Sequence, residues 1–315
     1  MEDEDEIKRP HYKDCDGFIL PGAFSREAFR FAINYKPKPG QLFIVSHPKS
    51  GSTWLQQIVA LIFRKDKPVS NVLQVKISPF LEFAGADAVD YMDEPGAIKI
   101  HLPFKLAPYS PDAKYIYVAR NPKDCCVSYY HHTKNAEFYN FADGTFDEYF
   151  ELFINGKKDY GDYFDHLLSW YEHKDDNNVL FITYEDLKLD TRNHILKIAK
   201  FMGDEYHDIL INNPDILERV LYYSSFKYMK DNVKSYIANM ASLPEGIPVP
   251  SGAKAFREYL KKHPELSPTY KGKFVRKGII GDWKNHFSPE QEKRMEDRIK
   301  EKTAGTDMMS LWKDK

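Results

Sequence analysis

Four short runs rich in apolar, β-branched and aromatic residues, at 42–45, 97–100, 115–118 and 179–183, are separated by longer stretches with helical spacing. That alternation limits the fold more than any other feature, because it implies parallel strands whose faces are covered by the intervening helices. The first run leads into Pro48-Lys49-Ser50-Gly51-Ser52-Thr53-Trp54. Apolar residues then fall at 54, 55, 58, 59, 61 and 62, a helical spacing that opens at a Ser/Thr cap. The block therefore sits on a strand-to-helix turn. Further helices are expected from Asp124, over 146–153, 160–171 and 191–201, and from Pro289 to about Lys302. Between 228 and 273 the pattern weakens, and Pro244, Gly246, Pro248, Pro250, Gly252, Pro264 and Pro268 point to a long, loop-rich insertion. With no internal repeat and no shift of composition along 315 residues, the expectation is a single α/β domain. Its central parallel β-sheet would be flanked by helices and carry a P-loop-like strand-turn-helix.

Charge narrows the function. The chain holds 47 Asp and Glu against 45 Lys and Arg, a balance that argues against a nucleic-acid binder, which needs an excess of cations to neutralise phosphates. Five of the acids and none of the bases lie in residues 1–6, so residues 1–20 are expected to be an acidic, flexible tail and 21–315 the working domain. That opening is the reverse of a signal peptide, and the longest purely apolar run, 58–63, is far below the ~18 residues of a membrane span. Cys15, Cys125 and Cys126 are too few for a disulfide framework, and the adjacent pair suits neither a bridge nor a metal knuckle. A cytoplasmic protein that engages neither membrane nor nucleic acid is expected.

The turn at 48–54 has its own chemistry. A helix N-terminus leaves about four N–H groups unpaired and carries partial positive charge, which suits a phosphate or sulfate. Gly51 lets the backbone approach an anion, Ser50, Ser52 and Thr53 add hydroxyls, and Lys49 adds a point charge. The same residues would also make a plain Ser-capped turn. They are not a Walker A motif, since Lys49 precedes Gly51 and no upstream glycine partner exists.

Taken with the block RKGIIGDWKN at 276–285, this turn resembles the cytosolic sulfotransferases, which use 3'-phosphoadenosine 5'-phosphosulfate (PAPS). Similar blocks lie between them: KIHLP at 99–103, VARNPKD at 118–124 running on to SYY at 128–130, and YEDL at 184–187, so the resemblance covers nearly the whole chain. It implies a sulfuryl transfer from PAPS to a hydroxyl or amine of a small, hydrophobic or phenolic acceptor, leaving adenosine 3',5'-bisphosphate (PAP), with no metal required. By that resemblance His101 is the general base, Lys49 stabilises the leaving phosphate, Lys99 supports the transferring group, and Ser128 acts with them. Residues 49–54, that is Lys49, Ser50, Gly51, Ser52, Thr53 and Trp54, take the 5' end of the nucleotide. Arg120, Ser128, Arg276, Lys277 and Gly278 take its 3'-phosphate, and Tyr184, Ser224 and Phe226 complete the nucleotide pocket with Trp54. Phe80, Phe83, His101 and His132 are expected around the acceptor.

Two departures from the family pattern stand out. Ser52 replaces a commoner Thr and keeps the hydroxyl, whereas Ser288, Pro289 and Lys293 alter the segment through which relatives dimerise, so a homodimer is possible but weakened as an expectation. A P-loop small-molecule kinase and a catalytically silent nucleotide-binding module are the competing classes. The first is disfavoured by the position of Lys49 and the second by the presence of both Lys49 and His101.

Overall fold

The computed structural model describes residues 8–65, 67, 69–241, 243 and 247–313. Its six strands are β1 (Tyr12–Cys15), β2 (Phe18–Pro21), β3 (Leu42–Val45), β4 (Ala97–Ile100), β5 (Lys114–Ala119) and β6 (Val179–Thr183). The last four form one all-parallel sheet in the order β4-β3-β5-β6, with Leu42 opposite Ala97 and Lys114, and Tyr115 opposite Val179. Strands buried on both faces need apolar residues at every position, and β3 has four of four buried. Side chains alternate between two cores. Phe43, Val45, Tyr115 and Tyr117 enter one that is closed by Trp170, while Leu42, Ile44, Ile116 and Val118 enter another covered by Leu55, Ile58 and Leu61 of the helix Ser52–Phe63. Among the described residues no helix is long and apolar enough to cross a membrane.

The expected helices form at Pro122–Asn135, Phe146–Ile154, Tyr163–Tyr171, Thr191–Met202 and Pro289–Lys302. The third starts three residues late because Tyr160 and Gly161 have φ of 61° and 68°, and the helix opens only where the Asp162 side chain caps Phe164 and Asp165. Ser288 and Gln291 build a capping box on Pro289–Lys302, and Lys293 pairs with Asp297 along its surface.

Two expectations are corrected. The proposed tail at 1–20 holds the antiparallel hairpin of β1 and β2, with Cys15 and Leu20 fully buried; residues 1–7 lie outside the described residues. The hairpin turns at Asp16 and Gly17, both left-handed, with φ of 58° and 85°. The loop-rich insertion at 228–273 contains the helices Tyr236–Ala241 and Ser251–Lys262. Two of its prolines mark boundaries: Pro250 sits at the N-cap of the second helix and Pro264 follows its end, so neither interrupts it. Ala253 and Phe256 bury against the core, while Pro244 and Gly246 lie outside the described residues.

The carboxyl ends of the four parallel strands carry the sequence blocks singled out above. β3 runs into the turn at 46–51, β4 into His101, β5 into Arg120 and β6 into Tyr184. In open parallel sheets this edge is where ligands bind.

Candidate active site

At the end of β3 the chain reverses sharply. Lys49 takes φ 71° and Gly51 φ 110°, and the Ser50 N–H returns to the His47 carbonyl. A Cβ on Gly51 would come within 2.9 Å of the Tyr184 ring, so glycine is needed for the approach as well as the dihedral. The N–H groups of Trp54 and Leu55 bond back to the Gly51 carbonyl, which leaves those of Ser52 and Thr53 in the open first turn of the helix.

This turn forms the floor of a cavity of about 140 Å³. Its wall takes in Lys49, Gly51, Ser52, Thr53, Trp54, Arg120, Ser128, Tyr184, Ser224, Phe226, Arg276, Lys277 and Gly278. Every residue expected around the nucleotide therefore converges there except Ser50, whose hydroxyl is buried and turned toward the Cys125 sulfur 3.9 Å away. The convergence of distant blocks has a visible cause: the Asp124 carboxylate, at the start of Pro122–Asn135, accepts the N–H groups of Gly281 (2.6 Å) and Trp283 (3.0 Å) and ties the C-terminal block to β5.

One end of the cavity is aromatic. Trp54 meets Tyr184 edge-on at 5.5 Å and donates its indole N–H to the Ser224 carbonyl at 2.8 Å, while Gly278, with φ 62°, lies so close to Phe226 that a Cβ would stand 2.4 Å from its ring. Cations stand beside these rings. Arg120 stacks 4.5 Å over Tyr184 and donates to the Lys49 carbonyl, and its Nε has no partner among the described residues. Arg276 and Lys277 both reach Asp282, at 2.6 and 2.7 Å. Burial works against charge on Asp282, yet the bonds from Lys277, Arg276 and Asn285 hold its carboxyl well below the usual range. Lys49 has no such counter-charge. Burial first, then the nearby Lys99, Arg120 and Arg276, pull its ammonium down to about 7.

A second, smaller cavity of about 70 Å³ lies on the other side of the turn and shares Lys49, Ser52, Thr53 and Phe274 with the first. Phe80, Lys99, His101 and His132 line it. His101 donates from Nδ1 to the Ser46 carbonyl at 2.6 Å, which fixes the tautomer and leaves Nε2 with a lone pair. Its ring is held edge-on between Phe80 (5.1 Å) and Tyr160 (5.5 Å). Burial, with Lys99 beside it, keeps this imidazole well below its ordinary pKa and so neutral near pH 7. Lys99 stands 4.5 Å over the Phe80 ring. Phe83 is a correction: it is off the wall, packed behind Phe80 and against Tyr236 and Phe256, because the short helix Leu81–Ala84 turns it into the core. Ser128 lines the first cavity alone.

Sequence reasoning missed several wall residues. His131 and Lys188 stand three and four residues after Ser128 and Tyr184 on their helices, a spacing that could have found them. Pro21, Tyr160 and Tyr236 come from the hairpin, a turn and the region read as loop, Phe274 follows that region, and only the tertiary fold brings them in. Among the described residues no group of three or more His, Cys, Asp or Glu is arranged to hold a metal ion.

Comparison with known proteins bears on this geometry. A family model described as "Sulfotransferase domain" matches residues 39–307. Sulfotransferase 1C2 of Rattus norvegicus is 35% identical over 87% of this chain and 86% of its own, and Sulfotransferase 1B1 of Mus musculus is 32% identical over 97% and 96%. Among solved structures, mouse sulfotransferase SULT7A1 complexed with PAP aligns over 96% of this chain and 98% of that one, at 26% identity and a TM-score of 0.72. Retinol dehydratase in a complex with retinol and PAP shares the fold at 21% identity, with a TM-score of 0.67 over 95% of this chain and 91% of that one.

Proposed function

The chain belongs to the cytosolic sulfotransferase family, and from that premise we propose the particular reaction its two joined cavities support: sulfuryl transfer from PAPS to the hydroxyl of a small aromatic acceptor. It is a sulfotransferase enzyme, with PAPS as co-substrate and PAP as product. The larger cavity suits such a nucleotide on its own features: aromatic rings for a base, a low-lying Lys49 ammonium and an Arg120 Nε with no partner among the described residues, and glycines at 51 and 278 where a side chain would intrude.

PAPS supplies an activated sulfuryl group on a phosphate leaving group. The acceptor oxygen forms the new S–O bond as the S–O bond to the 5'-phosphate breaks. His101 Nε2 takes the hydroxyl proton, which a neutral imidazole with its Nδ1–H already committed to Ser46 is prepared to do. Lys49 and the open N–H groups of Ser52 and Thr53 meet the negative charge that develops on the departing phosphate. Lys99, on the acceptor side, faces the group in transit. Arg276, Lys277, Ser128 and the backbone at Gly278 hold the 3'-phosphate. The carrying observation is that the cavities share Lys49, Ser52 and Thr53, with His101 on the far side of that shared wall.

The acceptor cavity is lined by Phe24, Phe80, Phe138, Tyr236 and Phe274 and holds little space, which favours a flat phenol over a bulky polycycle. His132, with Nδ1 unpaired, adds a polar spot on that wall. Cys15, Cys125 and Cys126 are free and buried, which agrees with a reducing, cytoplasmic setting.

Incubation with labelled PAPS and a panel of simple phenols is expected to give labelled sulfate esters and PAP. Phosphate transfer from ATP to the same panel, without sulfate transfer, would overturn the assignment. Gly278→Val should weaken PAP binding tenfold or more, because its side chain must displace Phe226 and the valine must adopt a left-handed backbone. Calorimetric titration with PAP checks this, and an unchanged Kd would remove Gly278 from the nucleotide wall.

A further inference from the structure

β4 is an edge strand of the sheet, so a main-chain N–H at its end has no strand on the outer side to receive it. The segment 79–82 takes that place. The Lys99 N–H bonds to the Pro79 carbonyl at 2.8 Å, Phe80 forms an isolated parallel bridge with Lys99, and the His101 N–H donates to Oε1 of Glu82. Glu82 is fully buried on the short helix Leu81–Ala84, and its Oε2 has no partner among the described residues. It lines neither cavity. A buried carboxyl is costly unless hydrogen bonds or an opposite charge offset its lost solvation. Its neighbours are Lys99 on β4, His101 just beyond the end of that strand and, from the turn before Tyr163–Tyr171, Tyr160, whose hydroxyl is also unpartnered among the described residues.

We propose that Glu82 is a positioning residue for the transfer step: its carboxyl fixes the His101 main chain at the open edge of the sheet and, as it ionises in alkali, supplies the counter-charge that holds the Lys99 proton. The proposal rests on the sulfuryl-transfer reading above. The electrostatics confine the charge role to the alkaline side, because Glu82 is a neutral acid at pH 7 and gains its charge in the range where Lys99 loses its own. Burial lifts Glu82 to about 8, against the pull of the His101 N–H and of Lys99, and burial lowers Lys99 to about 8, with Glu82 as the charge opposing that fall. Neither group can change charge without moving the other.

Glutamine separates the two roles, because its amide oxygen still accepts the His101 N–H but carries no charge. Methionine removes both. For wild type, Glu82→Gln and Glu82→Met, kcat, the KM values for PAPS and a phenol, the kcat profile from pH 6 to 10, and the Kd for PAP are measured. Glu82→Gln is expected to keep kcat within about threefold at pH 6.5 and to shift the alkaline limb at least half a pH unit toward acid, because Lys99 then loses its proton earlier. Glu82→Met is expected to lose tenfold or more in kcat at every pH, with PAP binding changed less than threefold. An unshifted limb in Glu82→Gln overturns the charge role, and this variant decides the matter even where Glu82→Met fails to fold. A fall in PAP affinity parallel to the fall in kcat overturns positioning in favour of general scaffolding. Wild-type protein that transfers sulfate with Glu82 silent sinks this proposal alone, whereas wild type without sulfate transfer sinks the reading beneath it.

Discussion

His101→Ala is expected to lower kcat by about 10³-fold, within the range general-base removal produces, while PAP binds as tightly as to wild type. The two halves of that result come from separate features. The base role depends on Nε2, which is left as an acceptor only because Nδ1–H is committed to the Ser46 carbonyl. The binding half depends on location, since His101 lines the smaller cavity and not the larger one. Alanine leaves its own N–H in place for Glu82, so the edge of the sheet keeps its bond. The pH profile supplies a further check. Burial and Lys99 depress the His101 pKa, so the imidazole is in its basic form at neutral pH and is lost as a base only as pH falls further. In wild type the acid limb of kcat should therefore lie below pH 6.5. Steady-state kinetics on an accepted phenol, a PAP titration and a melting curve test this together, and full turnover by His101→Ala would remove the base assignment.

How much of this could be read from residues alone differs between the sheet and the site. β3, β4 and β6 end where the apolar runs end, because a strand covered on both faces leaves few polar positions to blur its limits, Lys99 of β4 being the one that serves the site. The hairpin was obscured by the charged residues around it, although Asp16-Gly17 is a turn signal of the kind that joins two short strands. The insertion reads as loop while its prolines are counted rather than placed: Pro250 and Pro264 stand at the two ends of one helix, and Ala253, Phe256 and Leu260 between them keep helical spacing. In the site, blocks named the right neighbourhoods but not always the right atoms. Phe80 and Phe83 look equivalent in sequence, yet only Phe80 faces the cavity. Ser50 belongs to the phosphate turn, yet its hydroxyl serves the fold by facing Cys125. Phe274, shared by both cavities, and Tyr160, held left-handed beside His101, depend on contacts across the whole chain and had no local signature.

Lys49→Met is expected to cut kcat/KM for PAPS by about 10²–10³-fold, the loss that follows removal of one preorganised donor to developing charge. Lys49 should also impose a pH dependence on nucleotide binding that the other cations do not. Arg276 and Lys277 already share the Asp282 carboxylate, whereas Lys49 lies 4.4 Å from the Phe274 ring among Lys99, Arg120 and Arg276, with its ammonium drawn down to about 7. A polyanion entering the larger cavity reverses that balance and raises the Lys49 pKa toward its ordinary value, so binding takes up a proton wherever the free site has lost one. The sign follows. Well below pH 7 the free site is already charged and affinity is greatest, and at pH 7 about half of it is. Above pH 7 each binding event must supply the proton, and Kd should weaken by up to tenfold per pH unit until the bound-state pKa is reached. PAP titrations between pH 6.5 and 9 are suitable, since its phosphates are largely ionised across that window. Lys49→Met should bind PAP more weakly at pH 6.5 and lose most of the slope. Lys49→Arg should lose the slope but keep affinity at pH 9, because a guanidinium stays charged throughout. A slope that survives in both variants would assign the proton to another group and leave Lys49 a positioning contact alone.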